Sequence, residues 1–400
     1  MRVCMLGYTF YETDSRVRQY ARALVERGDE VDFIGLGRRV QTAEDVVEGV
    51  RIFRIQPRQF DEKGKVSYLF KLLRFLVSSS MLLSRKHLRN RYDLIHIHSV
   101  PDFLVFAACL PRLTGAKVVL DIHDVLPELF AAKFNAPPGS LSFQSLLLVE
   151  RLCAAFAHHV IIANDIWREK LISRSLRPSK CTTILNYPRN IVPHGRNRPE
   201  ARSRFIILYP GSLNYHQGVD IAIQAFALVK NLIPESEFHI YGEGAESENI
   251  VRLIQHLGLE ERVFLRPHVP HEEILRIMEN ADLGVDPKRT DGFANEALGG
   301  KIFEFMALGV PAIVSDSRTN KYYFNESVVR FCRGGDAADL AQSILALHKD
   351  NDATSRLVQN AHEFVLGYEW DVRMSIYLKL VDSLVQSTKK MQARKLDFIL

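Results

Sequence analysis

Glu296 and Glu304 stand eight positions apart, with Lys301 between them and an apolar run closing on Gly309-Val310-Pro311 after them. Residues 298–308 read as a helix: Ile302, Phe305 and Met306 form its apolar stripe, and Gly309 with Pro311 stops it. Gly299 and Gly300 lead into the lysine. A helix start of this kind is a natural seat for a phosphate, because unpaired backbone N–H groups and the helix dipole both attract an anion. The flanking carboxylates accept hydrogen bonds from hydroxyl groups. A polyol joined to a phosphate is the chemistry of a nucleotide-sugar. The same two glutamates also fit a solvated helix with ordinary surface charges, and the pair alone does not separate these readings.

The elements around this segment have one recurring character. Residues 2–6 form an apolar opening strand ending at Gly7, and Asp14 or Ser15 caps a helix whose apolar side is Val17, Ala21, Leu24 and Val25. Apolar runs follow at 31–35, 94–97, 117–122 and 160–163, each separated from the next by a helix-length segment. The pattern restarts after a polar, proline-containing stretch at 188–204, with runs at 205–209, 237–241, 263–265, 283–285 and 312–314. Strands without polar alternation, joined by helices, imply parallel sheets covered on both faces. The expected fold is therefore α/β, with two doubly wound, Rossmann-like domains facing a cleft: residues 1–187, a linker at 188–204, and residues 205–367. Residues 368–386 form a C-terminal helix. Ligands of such sheets bind beyond the carboxyl ends of the strands, where the important motifs lie.

Length and charge agree with this division. A chain of 400 residues exceeds what one core usually serves. Residues 1–185 carry 27 Lys/Arg against 19 Asp/Glu, a balance of +8, and the remainder carries 25 against 28, or −3. The first half is the one drawn to an anionic surface or substrate. Five scattered cysteines show no metal-ligand spacing and fit buried thiols in a reducing compartment. The opening Met-Arg-Val-Cys-Met-Leu-Gly is too short and strand-like for a signal peptide, and no apolar segment reaches membrane-span length. A cytoplasmic protein is expected. No Gly-x-Gly-x-x-Gly follows the first strand, which argues against a nicotinamide dehydrogenase, and no nucleic-acid-binding module is present.

The motifs, taken in order, resemble the retaining glycosyltransferases of family 4, which have the two-domain GT-B fold. They are Asp14-x-Arg16-Val17-x-Gln19, Tyr92 to His98, Asp121-Ile122-His123-Asp124, Asn186-Tyr187-Pro188, Tyr209-Pro210-Gly211-Ser212-Leu213, Gln217-Gly218-Val219-Asp220, Ile240-Tyr241-Gly242-Glu243-Gly244, and the segment from Glu296 to Pro311. The last is the most specific, and Gly-x-Gly at 242–244 alone is weak. The resemblance implies roles residue by residue. Glu304 would bind the ribose hydroxyls, and Glu296 would face the donor sugar and the positive charge developing at its anomeric carbon. Backbone amides of Phe293, Ala294 and Asn295 would line the sugar pocket. Gly211 would allow close approach to the diphosphate, Gly242 and Gly244 would border the base, and His123 would reach across the cleft to the transferred sugar. His123-Asp124 also fits a local hydrogen bond. His96 and His98 alternate along a strand, so at most one is expected to face the cleft.

One departure is clear. Many family members have arginine and lysine where this chain has Ser212 and Gln217, and those cations bind the donor diphosphate without a metal. Ser212 and Gln217 still offer neutral hydrogen bonds. Lys301 is the candidate replacement, with the helix start and Arg289 assisting. The implied chemistry is transfer of a hexose with retained configuration by a front-face route, in which a phosphate oxygen takes the acceptor's proton and no cofactor is needed. The protein then positions the reactants and stabilises charge. The other readings are a non-catalytic homologue serving another transferase, favoured by the missing basic pair, and a sugar-nucleotide epimerase of the same fold, for which no acid and base groups are identifiable.

Residues 63–91 bear on the acceptor. They hold eight lysines and arginines and no carboxylate, with Leu69, Leu72, Leu73, Leu76 and Val77 at helical spacing. Such a helix either faces its own sheet or rests on an anionic bilayer. Related enzymes often use lipid-linked acceptors, so a peripheral enzyme elongating a polyprenyl-diphosphate-linked oligosaccharide on the inner membrane face is expected.

Overall fold

The computed structural model describes residues 1–38, 42–58, 65–134, 136–188, 191 and 204–396. Most of the expected 188–204 linker therefore lies outside the described residues. Two compact units result: Met1–Asn186 with Arg373–Leu400, and Tyr187–Val372.

The first unit contains strands β1 (Arg2–Gly7), β2 (Glu30–Gly37), β3 (Glu44–Val47), β4 (Val50–Pro57), β5 (Leu94–His98), β6 (Lys117–Ile122), β7 (His159–Ile162) and β8 (Cys181–Thr183). Its helices are α1 (Ser15–Glu26), α2 (Lys65–Arg89), α3 (Cys109–Leu113), α4 (Leu126–Phe134), α5 (Leu141–Phe156) and α6 (Asp165–Arg174). The sheet order is β3-β4-β2-β1-β5-β6-β7-β8, parallel except for the antiparallel β3–β4 pair. Met5, Leu6, Ile95, Ile97 and Leu120 are fully enclosed, as strands buried on both faces require. Asp14 caps α1 by accepting a hydrogen bond from Val17 N. The chain leaves β1 toward β2 in one direction and later proceeds from β5 in the other, so the order reverses between β1 and β5.

The second unit has strands β9 (Phe205–Pro210), β10 (Ser236–Tyr241), β11 (Val263–Arg266), β12 (Leu283–Asp286), β13 (Ala312–Ser315) and β14 (Arg330–Cys332). Its helices are α7 (Val219–Val229), α8 (Ser247–His256), α9 (His271–Glu279), α10 (Gly300–Ala307), α11 (Arg318–Tyr323), α12 (Ala337–Lys349) and α13 (Asn351–Leu366). The order β11-β10-β9-β12-β13-β14 is wholly parallel and reverses between β9 and β12. Tyr209, Ile223, Phe226, Phe238, Leu283 and Ile313 are among its core residues.

A last helix, α14 (Trp370–Leu396), begins in the second unit, where Trp370 N donates to Pro188 O. From Arg373 it belongs to the first. There Tyr377 is fully buried 2.9 Å from His96 Nδ1, and Arg27 pairs with Asp382 at 2.8 Å. It starts two residues later and runs longer than the expected 368–386.

Candidate functional site

Each unit gathers polar groups where its strand order reverses. In the first, a cavity of about 210 Å³ is lined by Tyr8 and Thr9 after β1, Asp14, His98 to Val100 after β5, and His123 with Asp124 after β6. Beneath it lies Asp121, fully buried. Arg16 forks onto its carboxylate at 2.9 and 2.7 Å, His123 Nε2 lies 3.0 Å away and His98 Nδ1 3.2 Å. Burial alone would raise the Asp121 carboxyl, but Arg16 and then His123 hold it well below the carboxylate range. Burial would likewise lower the His123 imidazole, yet the Asp121 charge outweighs it and raises its pKa. His123 therefore lines the cavity with an imidazole whose protonated form Asp121 favours. Its ion-pair partner is Asp121, two residues back. Burial pulls the pKa of His98 down.

Of His96 and His98 only the second lines the cavity, though not because the two alternate. Residues two apart on a strand share a face, and these rings lie 4.2 Å apart, both buried. His98 lines the cavity while His96 bonds Tyr377. Arg16 and Asp121 belong to two separate sequence motifs 105 residues apart, and nothing in local spacing couples them.

In the second unit, β9 and β12 are neighbours, and their ends carry Gly211 and Asp286. Residues 292–296 form a short 3-10 turn. Helix α10 starts at Gly300, two residues later than expected, because Ala297 is extended and Gly299 is the N-cap. Lys301, in its first turn, reaches back over the Tyr209 ring, with Nζ 3.8 Å from the centroid. The ammonium is 3.2 Å from Asp286 Oδ1. A β-carbon built on Gly211 would lie 2.8 Å from Nζ, so the absence of a side chain there makes room for the lysine. Gly242 is equally constrained, since its β-carbon would strike the Gly211 carbonyl, and a β-carbon on Gly244 would strike the backbone of Leu213. The predicted cradle residues Gly211, Gly242 and Lys301 are thus brought together.

Sequence reasoning missed Asp286 and Lys288. Lys288, also buried, has Nζ 3.7 Å from Asp286 Oδ2 and donates to Ala297 O at 3.2 Å, tying β12 to the approach of α10. Burial favours a neutral Asp286, but the Lys288 and Lys301 ammoniums keep its pKa below normal. Burial lowers the pKa of Lys301 against the opposing pull of Asp286. The Lys301 ammonium is held to Asp286 as a 3.2 Å ion pair, and with three N–H donors it can also donate to an incoming oxygen. The Lys-Arg dipeptide at 288–289 was visible in sequence; its first member's burial was not.

Arg289 needs correction as a diphosphate ligand. Its guanidinium forks onto Asp220 at 2.9 and 2.8 Å, donates to Tyr215 O at 2.9 Å and stacks 3.8 Å over the Tyr215 ring. Its charge is already committed. Gln217 Nε2 is 3.3 Å from His216 Nε2, and exposed Ser212 accepts the Tyr209 hydroxyl proton through its carbonyl at 2.9 Å. Glu304 follows Lys301 by about one helical turn, partly exposed, with its pKa raised by burial and His271 3.9 Å away. Glu296 is 3.8 Å from Arg318. Phe293 and Ala294 are buried; the Asn295 amide makes a long 3.4 Å bond to Asp291 O, and its side-chain oxygen accepts from Arg318 N at 2.8 Å.

Two parallel-sheet units, each with polar groups gathered at its strand ends, define a two-domain, doubly wound α/β architecture. Family models match both halves: "Glycosyl transferase 4-like domain" over residues 13–186 and "Glycosyl transferases group 1" over 195–364. The chain belongs to the family-4 glycosyltransferases with the GT-B fold. Among its relatives is the putative glycosyltransferase EpsD of Bacillus subtilis, 28% identical over 69% of this chain and 73% of that protein. Another is the GDP-mannose:cellobiosyl-diphosphopolyprenol alpha-mannosyltransferase of Xanthomonas oryzae, 25% identical over 70% of each. Similar solved structures include sucrose-phosphate synthase from Thermosynechococcus elongatus, with TM-score 0.75, 18% identity and 99% coverage of both chains. Anabaena HepE in complex with UDP and glucose gives TM-score 0.72 at 18% identity, covering 95% of this chain and 99% of that one.

Proposed function

We propose that this glycosyltransferase moves a hexose, with retained configuration and without a metal, from a nucleotide-diphosphate sugar to a growing lipid-linked oligosaccharide during bacterial surface-polysaccharide assembly. The observation that carries this reading is the Lys301 ammonium held beside Gly211 at the β9–β12 reversal. A departing diphosphate placed there meets a positive charge already in position, and such preorganised charge contributes most of the stabilisation in many enzymes. Glu304, about one turn along α10, presents a carboxylate to ribose hydroxyls. Glu296 and the 293–295 backbone serve the sugar, and His123, in the first unit's own cavity, offers a hydrogen-bond donor to a sugar hydroxyl.

Retention by a front-face route fits the carboxylates present. Asp286 is 1% exposed and flanked by two ammoniums, a poor nucleophile for a double displacement. The acceptor proton then passes to a phosphate oxygen. The relatives support the substrate classes: one acts on a diphosphopolyprenol-linked sugar, and HepE was seen with UDP and with UDP-glucose.

A panel of nucleotide-sugars tested by thermal unfolding checks the reading. At a concentration about a hundredfold above Kd, the matching donor stabilises by about 2.7 kcal/mol, and transfer to a polyprenyl-diphosphate-linked sugar follows. Absence of both a stabilising donor and any transfer across the panel would overturn it.

A further inference from the structure

Helix α2 carries two apolar stripes. Leu72, Phe75, Ser79, Leu83 and His87 are buried against the first unit. On the opposite side Phe70 (70% exposed), Leu73, Val77, Met81 (68%) and Leu88 lie open. Packing on its own sheet therefore accounts for only one of the two stripes. The expected apolar set divides accordingly: Leu72 faces inward, while Leu69, Leu73 and Val77 face out.

The exposed stripe is not isolated. The β4–α2–β5, β5–α3–β6 and β6–α5–β7 connections all step the same way across the sheet, so their right-handed crossovers place the three helices on one face. Helix α2 packs on α3 and on the 102–108 turn, and α5 packs on that turn as well. Leu113 closes α3 at 80% exposure, and Leu141, Leu148 and Leu152 of α5 are exposed. Neither α2 nor α3 contains a carboxylate. The carboxylate of α5, Glu150, is buried and paired with Arg174. Arg74, Arg85, Arg89 and Arg91 meanwhile stand exposed on or just beyond α2.

We infer that this α2–α3–α5 face docks on an anionic phospholipid surface, with the apolar stripe entering the headgroup boundary and the arginines pairing with lipid phosphates. An exposed apolar area with a cationic rim and no carboxylate of its own suits that partner. Among the described residues no helix is long and apolar enough to cross a membrane. The inference deepens the proposed function: it keeps the acceptor-side unit at the surface where a lipid-linked acceptor resides.

Flotation of the full chain with vesicles tests it. At near-physiological salt the protein is expected to float with phosphatidylglycerol–phosphatidylcholine vesicles and to remain below with phosphatidylcholine alone. Phe70→Ser/Met81→Ser and Arg74→Ala/Arg85→Ala should each weaken flotation about tenfold or more. Donor-induced thermal stabilisation, read on the same samples, should be unchanged in both. Wild-type protein that stays below anionic vesicles, or variants that float undiminished, would overturn the inference. So would a dimer seen by light scattering that Phe70→Ser/Met81→Ser dissolves without any vesicle binding, since that assigns the face to a second copy. Lipid binding without a donor response would instead count against the transferase reading alone.

Discussion

Lys301 Nζ lies 3.2 Å from Asp286 Oδ1, and the same ammonium occupies the space that a side chain on Gly211 would need. A buried carboxylate thus holds a buried cation against a glycine turn. The lysine is fixed before any ligand arrives, and its remaining N–H groups are left for what the turn admits.

Asp286→Asn should move the pH dependence of transfer. Lys301 attracts phosphate only while protonated. Burial lowers its pKa, and the Asp286 charge opposes that shift. Without the carboxylate, the lysine loses its proton at a lower pH, so the alkaline limb of kcat/KM is expected to shift to lower pH than in the wild type. An unmoved limb would detach Asp286 from the function of Lys301.

Two glycine substitutions should fail differently. Gly242→Ala drives a methyl into the Gly211 backbone carbonyl, which cannot swing aside, so thermal unfolding should show a stability loss of about 1–3 kcal/mol or more. Gly211→Ala strains a backbone at φ 155° and also presses on the end of the Lys301 side chain, 2.8 Å away. That variant should lose donor affinity out of proportion to its stability. Donor affinity that falls in Gly211→Ala no further than in Gly242→Ala would contradict the distinction.

Arg289→Ala should scarcely affect the donor. The guanidinium is engaged by Asp220, which is itself more than a third exposed, so the pair contributes about 1 kcal/mol or less to stability. Donor Kd is expected to stay within about twofold of wild type. A tenfold loss would restore Arg289 to the diphosphate site.

His123 gives a pH-dependent stability contribution of known sign. Its folded pKa is raised above the ordinary 6.5 by Asp121, so its contribution is fully present below pH 6.5 and fades as pH rises through the folded value. The difference in unfolding free energy between wild type and His123→Asn should therefore shrink across that window in urea titrations. A constant difference would mean the imidazolium is not held by Asp121.

How far the sequence could be read follows from which interactions are local. The buried parallel strands were legible because an apolar run such as 117–122, set between helix-length segments, is too short for a buried helix and too apolar for a surface loop. The β3–β4 hairpin was not, since Glu44–Val47 opens on two carboxylates, is too short to show a period and is mostly exposed. Glu296, Lys301 and Glu304 were visible as one segment. Their partners were not: Asp286 and Gly211 reach Lys301 through neighbouring strands, and Arg16 reaches Asp121 across 105 residues of chain. The outward stripe of α2 was hidden for another reason, because periodicity reports that residues share a face and not which face meets the core.

The most direct test of the account is kcat/KM for sugar transfer in Lys301→Met, which keeps the aliphatic stem over Tyr209 and removes only the charge. With folding verified by thermal unfolding, kcat/KM is expected to fall about 10²–10³-fold, the scale of losing one preorganised charge-stabilising group. A variant that transfers within about twofold of wild type would place the neutralisation of the leaving diphosphate on another group and contradict the central claim.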